Sequence, residues 1–414
     1  MLTRSRTALP LLAYAFAVVM LGTTAPTPMY GLYASRMGFS VLTTTVIYAA
    51  YASGVVAALL VFGRWSDAIG RRPVLIAGTV FAIASAAVFL SAESVPALLV
   101  GRILSGLSAG VFTGTATAAV IEAAPPRWRA EGAAVATVAN IGGLGAGPLL
   151  AGLLVQYAPQ PVHLTFVVHI VLTAIAAVAV LLVPETSPRT GTLAVQRLSI
   201  PSEARSVFVL ASIAAFAGFA VTGVFTAVAP SFLSGVVGID NHAIAGAMVC
   251  SIFTASALAQ LVATRIPPRR AMALGCAILA VGMAILAIAL HFSSLIGLVA
   301  AAVVAGVGQG VSFSRGLAAV VELTPSEHRA EVSSAYFVVA YFALSVPVVG
   351  EGLAAQAWGL RTAGVGFAVG VSVLAIVCLA AIIVQEPRQE PPLNTAKEGG
   401  RMGHIVATTG CPRS

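Results

Sequence analysis

Twelve apolar runs of about 20 residues recur along the chain, each long enough to cross the roughly 30 Å hydrocarbon core of a bilayer as a helix. They are Ala8–Tyr30, Val41–Phe62, Pro73–Ser91, Val95–Ile121, Gly132–Val155, Leu164–Val183, Ser206–Val228, Ala243–Ala263, Ala271–Leu290, Leu295–Val321, Val332–Ala354 and Ala363–Val384. Only 9% of the 414 residues are charged, against about 25% in soluble domains, so water is excluded as the solvent of most of the surface. The runs are continuous rather than alternating, which selects helices over a barrel. An all-α membrane protein of twelve transmembrane helices is expected, with the lipid bilayer as its surroundings. The opening MLTRSRTALPLLAYAFAVVMLGTTA has the basic, apolar, small-residue order of a secretory signal. Because the apolar stretch continues past Ala25 and eleven more follow, it is expected to be retained as the first span.

Basic residues orient the spans. With the N-terminus inside, eighteen of the 22 Lys and Arg residues fall on the inner side, Arg36 and Arg361 outside, and Arg102 and Arg315 within spans. This asymmetry predicts cytoplasmic N- and C-termini and a place in the cell (inner) membrane. The net charge of +8 is spread over many loops, so no nucleic-acid face is expected. The four cysteines, Cys250, Cys276, Cys378 and Cys411, have neither metal spacing nor a disulfide pattern. No metal or cofactor is expected.

The chain also repeats itself. GVFTGTATAAVIEAAPPRWRAE (Gly110 to Glu131) aligns without gaps on GVSFSRGLAAVVELTPSEHRAE (Gly310 to Glu331), pairing the fourth span and its exit loop with the tenth. Two six-helix bundles related by pseudo-symmetry follow: residues 1–184 and 206–384, a cytoplasmic linker at 185–205, and a tail at 385–414 expected to be disordered. Halves related by an axis along the membrane normal are a transporter architecture, with substrate held between them near the midplane. A monomer is expected.

GRWSDAIGRRPV, Gly63 to Val74, concentrates charge between spans two and three. Arg64, Arg71 and Arg72 follow the positive-inside rule, Gly63 and Gly70 permit a tight reversal, and Pro73 suits a first helical turn. Asp67 is not required by topology. It can pair with Arg71 or dock on the positive N-terminal end of another span, which would latch the inner side shut. This loop resembles the signature of the major facilitator superfamily: Gly, three residues, Asp, two residues, Gly, Arg, Arg. Together with the twelve spans and two halves, the resemblance covers nearly the whole chain. It implies a Glu122–Arg71–Asp67 cluster, since in that family the acid ending span four neighbours the signature arginine. The second-half loop, ATRIPPRRAM, keeps the basic residues and lacks the acid.

Arg102 lies inside span four, where a cation costs several kcal/mol unless paired or hydrated and is functional by default. Gly106 and Gly110 follow it at helical spacing. Arg, three residues and Gly is similar to the family's span-four motif linked to proton coupling, with Ser105 where the family usually has Gln. GGLGAGPLLAG in span five places Gly143, Gly147 and Ala151 on one face, and Pro148 removes a donor and can kink the helix. It resembles the family's antiporter motif, Gly143, Gly147, Pro148 and Gly152 matching and Ala151 replacing one Gly. The resemblance implies exchange of substrate for protons, the proton being the coupling ion. Span one carries no Asp or Glu, which leaves Glu351 in span eleven as the main proton carrier, or as a residue lining the outer mouth. His169 in span six is a further titratable group.

Thr27, Tyr30, Tyr51, Asn140, Phe219, Gln309, Phe313 and Tyr336 are candidates to line the substrate cavity. Aromatics with a few amides and hydroxyls suit amphipathic molecules. The expected function is a proton-coupled antiporter exporting small amphipathic compounds or drugs. The alternative is an importer, or a sugar or metabolite exporter, of the same fold. No clustered catalytic or metal residues point to an enzyme.

Overall fold

The structure is a computed structural model that describes residues 2–385. The expected tail, Gln385 apart, lies outside the described residues. Twelve helices are long and apolar enough to cross a membrane. The first six are Leu2–Thr24, Val41–Phe62, Arg71–Leu90, Val95–Ala123, Arg129–Tyr157 and Pro161–Leu182. The second six are Arg205–Ala227, His242–Ala263, Pro268–His291, Leu295–Glu322, Arg329–Trp358 and Leu360–Val384. We call them spans one to twelve. They form two six-helix bundles, with the chain from Val183 to Pro201 running between them on the face we call the linker face.

Local chemistry sets the ends. Ser40, Asn241 and Ser294 cap spans two, eight and ten, each side-chain oxygen accepting a backbone N–H of the first turn. Spans five and eleven begin at Arg129 and Arg329, a turn before their apolar runs, with Glu131 and Glu331 in the first turn, where an acid complements the helix dipole.

Span one departs from expectation. It ends at Thr24 instead of Tyr30, passes through a 3₁₀ turn at Thr27–Met29 and resumes as a separate helix, Tyr30–Met37. Pro26 and Pro28 supply no N–H to continue the ladder. The expected double-glycine reversal in the signature loop is also only half right. Gly63 keeps a right-handed helical conformation at φ −55°, while Gly70 stands at φ +110°.

The halves meet along two seams, spans two with eleven and spans five with eight, in the half of the molecule away from the linker. A Cβ at Gly352 would strike the Thr45 side chain, and Ser345 Oγ donates to the Ala49 carbonyl at 3.3 Å. A Cβ at Gly152 would strike the His242 carbonyl, and one at Gly246 the Pro148 carbonyl. The His242 N–H donates to Gln156 Oε1 at 2.9 Å. Backbones this close exclude water and solutes, so the far face is shut.

Candidate functional site

Between the halves lies a cavity of about 450 Å3. It runs from Met20 and Tyr51 at mid-depth to Gln260, Leu317 and Ser333 near the linker face. Of the candidates named from sequence, Tyr51, Asn140, Phe219, Gln309 and Phe313 line it. Phe219 and Phe313 meet edge to face at 4.8 Å, Phe337 joins them, and Tyr51 faces Tyr341 across the seam at 6.2 Å. Gln260 Nε2 donates to Ser256 Oγ (3.2 Å), which donates to Gln309 Oε1 (2.7 Å). Among the described residues, no Asp, Glu, Lys or Arg lines the space. Stacking faces with scattered hydroxyls and amides hold a guest that is part apolar and part hydrogen-bonding.

Three predicted lining residues lie elsewhere. Tyr336 is buried in the second half, stacked on Phe313 at 5.4 Å, with its hydroxyl donating to the Phe313 carbonyl at 3.1 Å. Its neighbour Phe337 takes the cavity side, since adjacent helical residues point about 100° apart. Thr27 and Tyr30 sit near the far face because span one ends before them. A larger apolar groove of about 590 Å3 between spans one and five looks outward from the bundle. Its Tyr14 hydroxyl is already used on the Leu172 carbonyl, so it offers no handle for orienting a guest.

Arg102 is 2% exposed and does not reach water. Its Nη1 donates to the Thr23 carbonyl at 2.6 Å and its Nη2 to the Tyr48 carbonyl at 3.5 Å. The guanidinium lies over the rings of Tyr48 and Tyr51, 5.2 and 4.7 Å from their centroids. Thr23 is in the last turn of span one, where the proline break leaves carbonyls without helical partners and the dipole is negative. A cation is therefore held by a helix end and two aromatic faces, and no carboxylate pairs with it among the described residues. Tyr51 also lines the central cavity, so the charge and the cavity share one side chain.

Glu351 is 4% exposed and its Oε1 has no hydrogen-bond partner among the described residues. It lies beside Gly352, at the seam with span two, and does not line the central cavity. Nor does it line an open mouth. His169 is packed against Gly22, its ring bonded to Thr173 Oγ1 at 3.2 Å.

The span-five motif divides its labour. Cβ atoms at Gly143 and Gly147 would strike the Ala17 and Leu21 carbonyls of span one, whereas Gly152 and Pro148 face span eight across the seam. Pro148 cannot donate to the Leu144 carbonyl. Thr24 Oγ1 of span one donates to that carbonyl instead, at 2.7 Å. The kinking residue is thus also the residue that ties two spans together.

Beneath the cavity, the signature loop is a network. Arg71 Nη1 contacts Asp67 Oδ1 at 2.7 Å, and Nη2 contacts Glu122 Oε1 at 2.9 Å. Nη1 also donates to Ser66 Oγ at 2.6 Å. The Asp67 side chain stays 54% exposed. Its partner is Arg71, at the start of span three in the same half, and not the N-terminal end of a span in the other half. Glu185 of the linker takes such an end instead, accepting the Arg71 N–H at 2.8 Å and the Arg72 N–H at 3.2 Å. Gly70 is required here, since a Cβ would strike that carboxylate. Partial burial pushes the Glu185 carboxyl up, but the N–H groups of Ser187, Arg71, Arg72 and Thr186 outweigh it and hold it below the usual carboxylate range. Thr186 Oγ1 donates to Glu122 Oε2 at 2.7 Å. Ser66, Glu185 and Thr186 were not apparent from sequence; the one signal was a lone acid after Pro184, at the exit of span six.

Two six-helix bundles around a cavity, closed at one face and joined by a linker at the other, define a membrane protein of the two-bundle class. The chain belongs to the Major Facilitator Superfamily, whose sequence pattern matches residues 12–346 and again 255–408. It is 32% identical over 115 residues to the tetracycline resistance protein, class E, of Escherichia coli, a match covering 28% of each chain. It is 37% identical over 70 residues to the MFS-type transporter criB of Aspergillus cristatus, covering 17% of this chain and 15% of that one. The chain thus spans less than a third of the length of these curated relatives. Its fold is similar to a bacterial homolog of the human lysosomal transporter Spinster, inward-facing and unoccupied (TM-score 0.73, 14% identity, 92% of this chain and 97% of that one). A mutant peptide transporter POT with sulfate is equally similar (TM-score 0.74, 15% identity, 90% and 93%).

Proposed function

We propose that the chain is a proton-coupled antiporter that exports small amphipathic compounds by alternating access, in a cell membrane with both termini cytoplasmic. The observation that carries this reading is the central cavity: walled by both halves, reached from the linker face, aromatic and hydroxyl-lined, with no ionised side chain. Neutral or weakly charged guests suit it. The partial similarity to a tetracycline resistance protein points the same way.

In this reading Arg102 and Glu351 are the coupling pair. Each is buried without a counter-ion among the described residues, so gain or loss of a proton at Glu351 changes the cost of closing the seam around it. Asp67, half exposed, becomes the contact that closes the linker face when the halves swing together, with Arg71 and Glu122 holding the loop in shape. The proton is the only coupling ion invoked. Expression in a host cell should lower accumulation of amphipathic dyes, and a protonophore should abolish that effect. Raised accumulation would instead indicate an importer.

A further inference from the structure

The two halves treat the charge on the linker face differently. In the first half Arg71 is neutralised by Asp67 and Glu122. The matching turn of the second half, between spans eight and nine, carries Arg265, Arg269 and Arg270 and no acid. Arg269 donates to the Ile382 carbonyl, near the end of span twelve, at 3.0 Å. The Arg265 and Arg270 side chains are exposed and have no hydrogen bond or ion pair among the described residues. Arg315 of span ten is a third cation without either. It stands one turn beyond Val311, which packs with Ala263 and Ala271 of spans eight and nine. The sequence beyond Gln385 holds Glu386, Glu390 and Glu398 against Arg388, Lys397, Arg401 and Arg413, so it brings no net negative charge to balance them.

The surface beside these charges selects their partner. Spans eight and nine both stand on span ten: a Cβ at Gly306 would strike the Ile252 carbonyl, and one at Gly275 the Ser312 backbone nitrogen. On span eight, Leu258 and Val262 are exposed, and Arg265 follows at the same helical spacing, its N–H donating to the Val262 carbonyl. On span nine, exposed Arg270, Leu274 and Val281 repeat that spacing from the other end. Each outward apolar stripe therefore ends, on the linker face, at an unpaired arginine. A free anion would use the arginines and leave the stripes; a phospholipid uses both. We infer that this end of the second half binds an anionic phospholipid, its phosphate between Arg265 and Arg270 and its acyl chains along the two stripes, with Arg315 adding to the attracting field. Basic clusters between spans at a membrane surface recognise acidic head groups, each cation adding about fivefold in affinity. The assignment requires a bilayer and not a direction of transport, so it stands apart from the antiport reading.

The test is native mass spectrometry of the purified full-length chain in detergent, titrated with dioleoyl phosphatidylglycerol or dioleoyl phosphatidylcholine. Phosphatidylglycerol is expected to bind at a concentration lower by about tenfold or more. In Arg265→Gln/Arg270→Gln, at two exposed positions, that preference should disappear while phosphatidylcholine binding stays as it was, which shows the variant is folded. Arg265→Lys/Arg270→Lys keeps the charge and should keep the preference. Arg127→Gln/Arg129→Gln removes the same charge from exposed positions beside span five and should also keep it. No preference in the wild type, a preference retained in Arg265→Gln/Arg270→Gln, its loss in Arg265→Lys/Arg270→Lys, or an equal loss in Arg127→Gln/Arg129→Gln would overturn the assignment. So would displacement of phosphatidylglycerol by inorganic phosphate, which marks a free-anion site, or a mass of two chains without lipid, which gives the face to a second copy.

Discussion

Arg102 shows how one residue is made tolerable in the membrane. A centrally placed cation costs about 2.5–3.5 kcal/mol on insertion scales. Here two carbonyls and two tyrosine rings offset that cost. Lysine offers the charge without the planar fork or the stacking face. In proteoliposomes with an imposed pH gradient, Arg102→Ala is expected to abolish proton-driven exchange, and Arg102→Lys to reduce it by about tenfold or more, each chain still folding. Exchange with an unchanged pH dependence in Arg102→Ala would place the coupling elsewhere. The sequence marks Arg102 plainly, as a charge inside an apolar run. It does not show the Thr23 carbonyl, because that group is freed only where the proline break ends span one at Thr24, short of the expected end at Tyr30.

At the scale of the helix, span five depends on its neighbours for backbone bonds it cannot make itself. The Thr24 hydroxyl on the Leu144 carbonyl replaces the donor that Pro148 lacks. Thr24→Val keeps the shape of the side chain and removes that donor. Interhelical hydrogen bonds in membranes average about 0.6 kcal/mol and reach about 1.7, so a loss of about 1 kcal/mol is expected in thermal or denaturant unfolding in detergent. Stability equal to the wild type would mean the freed carbonyl finds another partner. Gly246 acts across the seam rather than within a half. A Cβ there would strike the Pro148 carbonyl, so Gly246→Val should prop the far face open. Spin-label distances between spans five and eight should lengthen there, with little change at the linker face; an unaltered distance distribution would show that the seam yields around the added atoms.

For the whole molecule, the linker is a strap laid across the signature loop. Gly191 N–H donates to the Asp67 carbonyl at 3.1 Å, and Gln196 N–H to the Leu60 carbonyl at 2.7 Å, beside the Glu185 anchor. The Glu185 carboxyl is held below its ordinary value of 4.5. Its contribution is therefore full above 4.5 and is lost as pH falls through the lower folded value. Hydrogen exchange at the Arg71 and Arg72 amides, corrected for intrinsic pH dependence, should lose protection in that acid window. Glu185→Gln should show the loss at neutral pH; protection that is flat with pH would mean the strap does not need the charge. In Asp67→Asn, transport should collapse while the amount of protein in the membrane stays normal, because in the proposed reading this half-exposed residue closes a gate and does not support the bundle. Wild-type rates would remove Asp67 from the gating role.

Span number, the twofold repeat and the charged loop could be read from the chain alone, because each rests on local chemistry: apolar length against bilayer thickness, helical spacing of small residues, and arginines gathered in the loops between spans. What the fold alone decided was direction and partnership. Tyr336 and Phe337 differ by one position and point about 100° apart, one into the second half and one to the cavity, and no composition rule distinguishes them. Glu185 reached a helix end 114 residues away in sequence, Thr27 and Tyr30 ended near the far face, and Asp67 was left without its dock. Each of these depends on how elements distant in sequence pack against one another, which is a property of packed surfaces and is written in no single stretch of sequence.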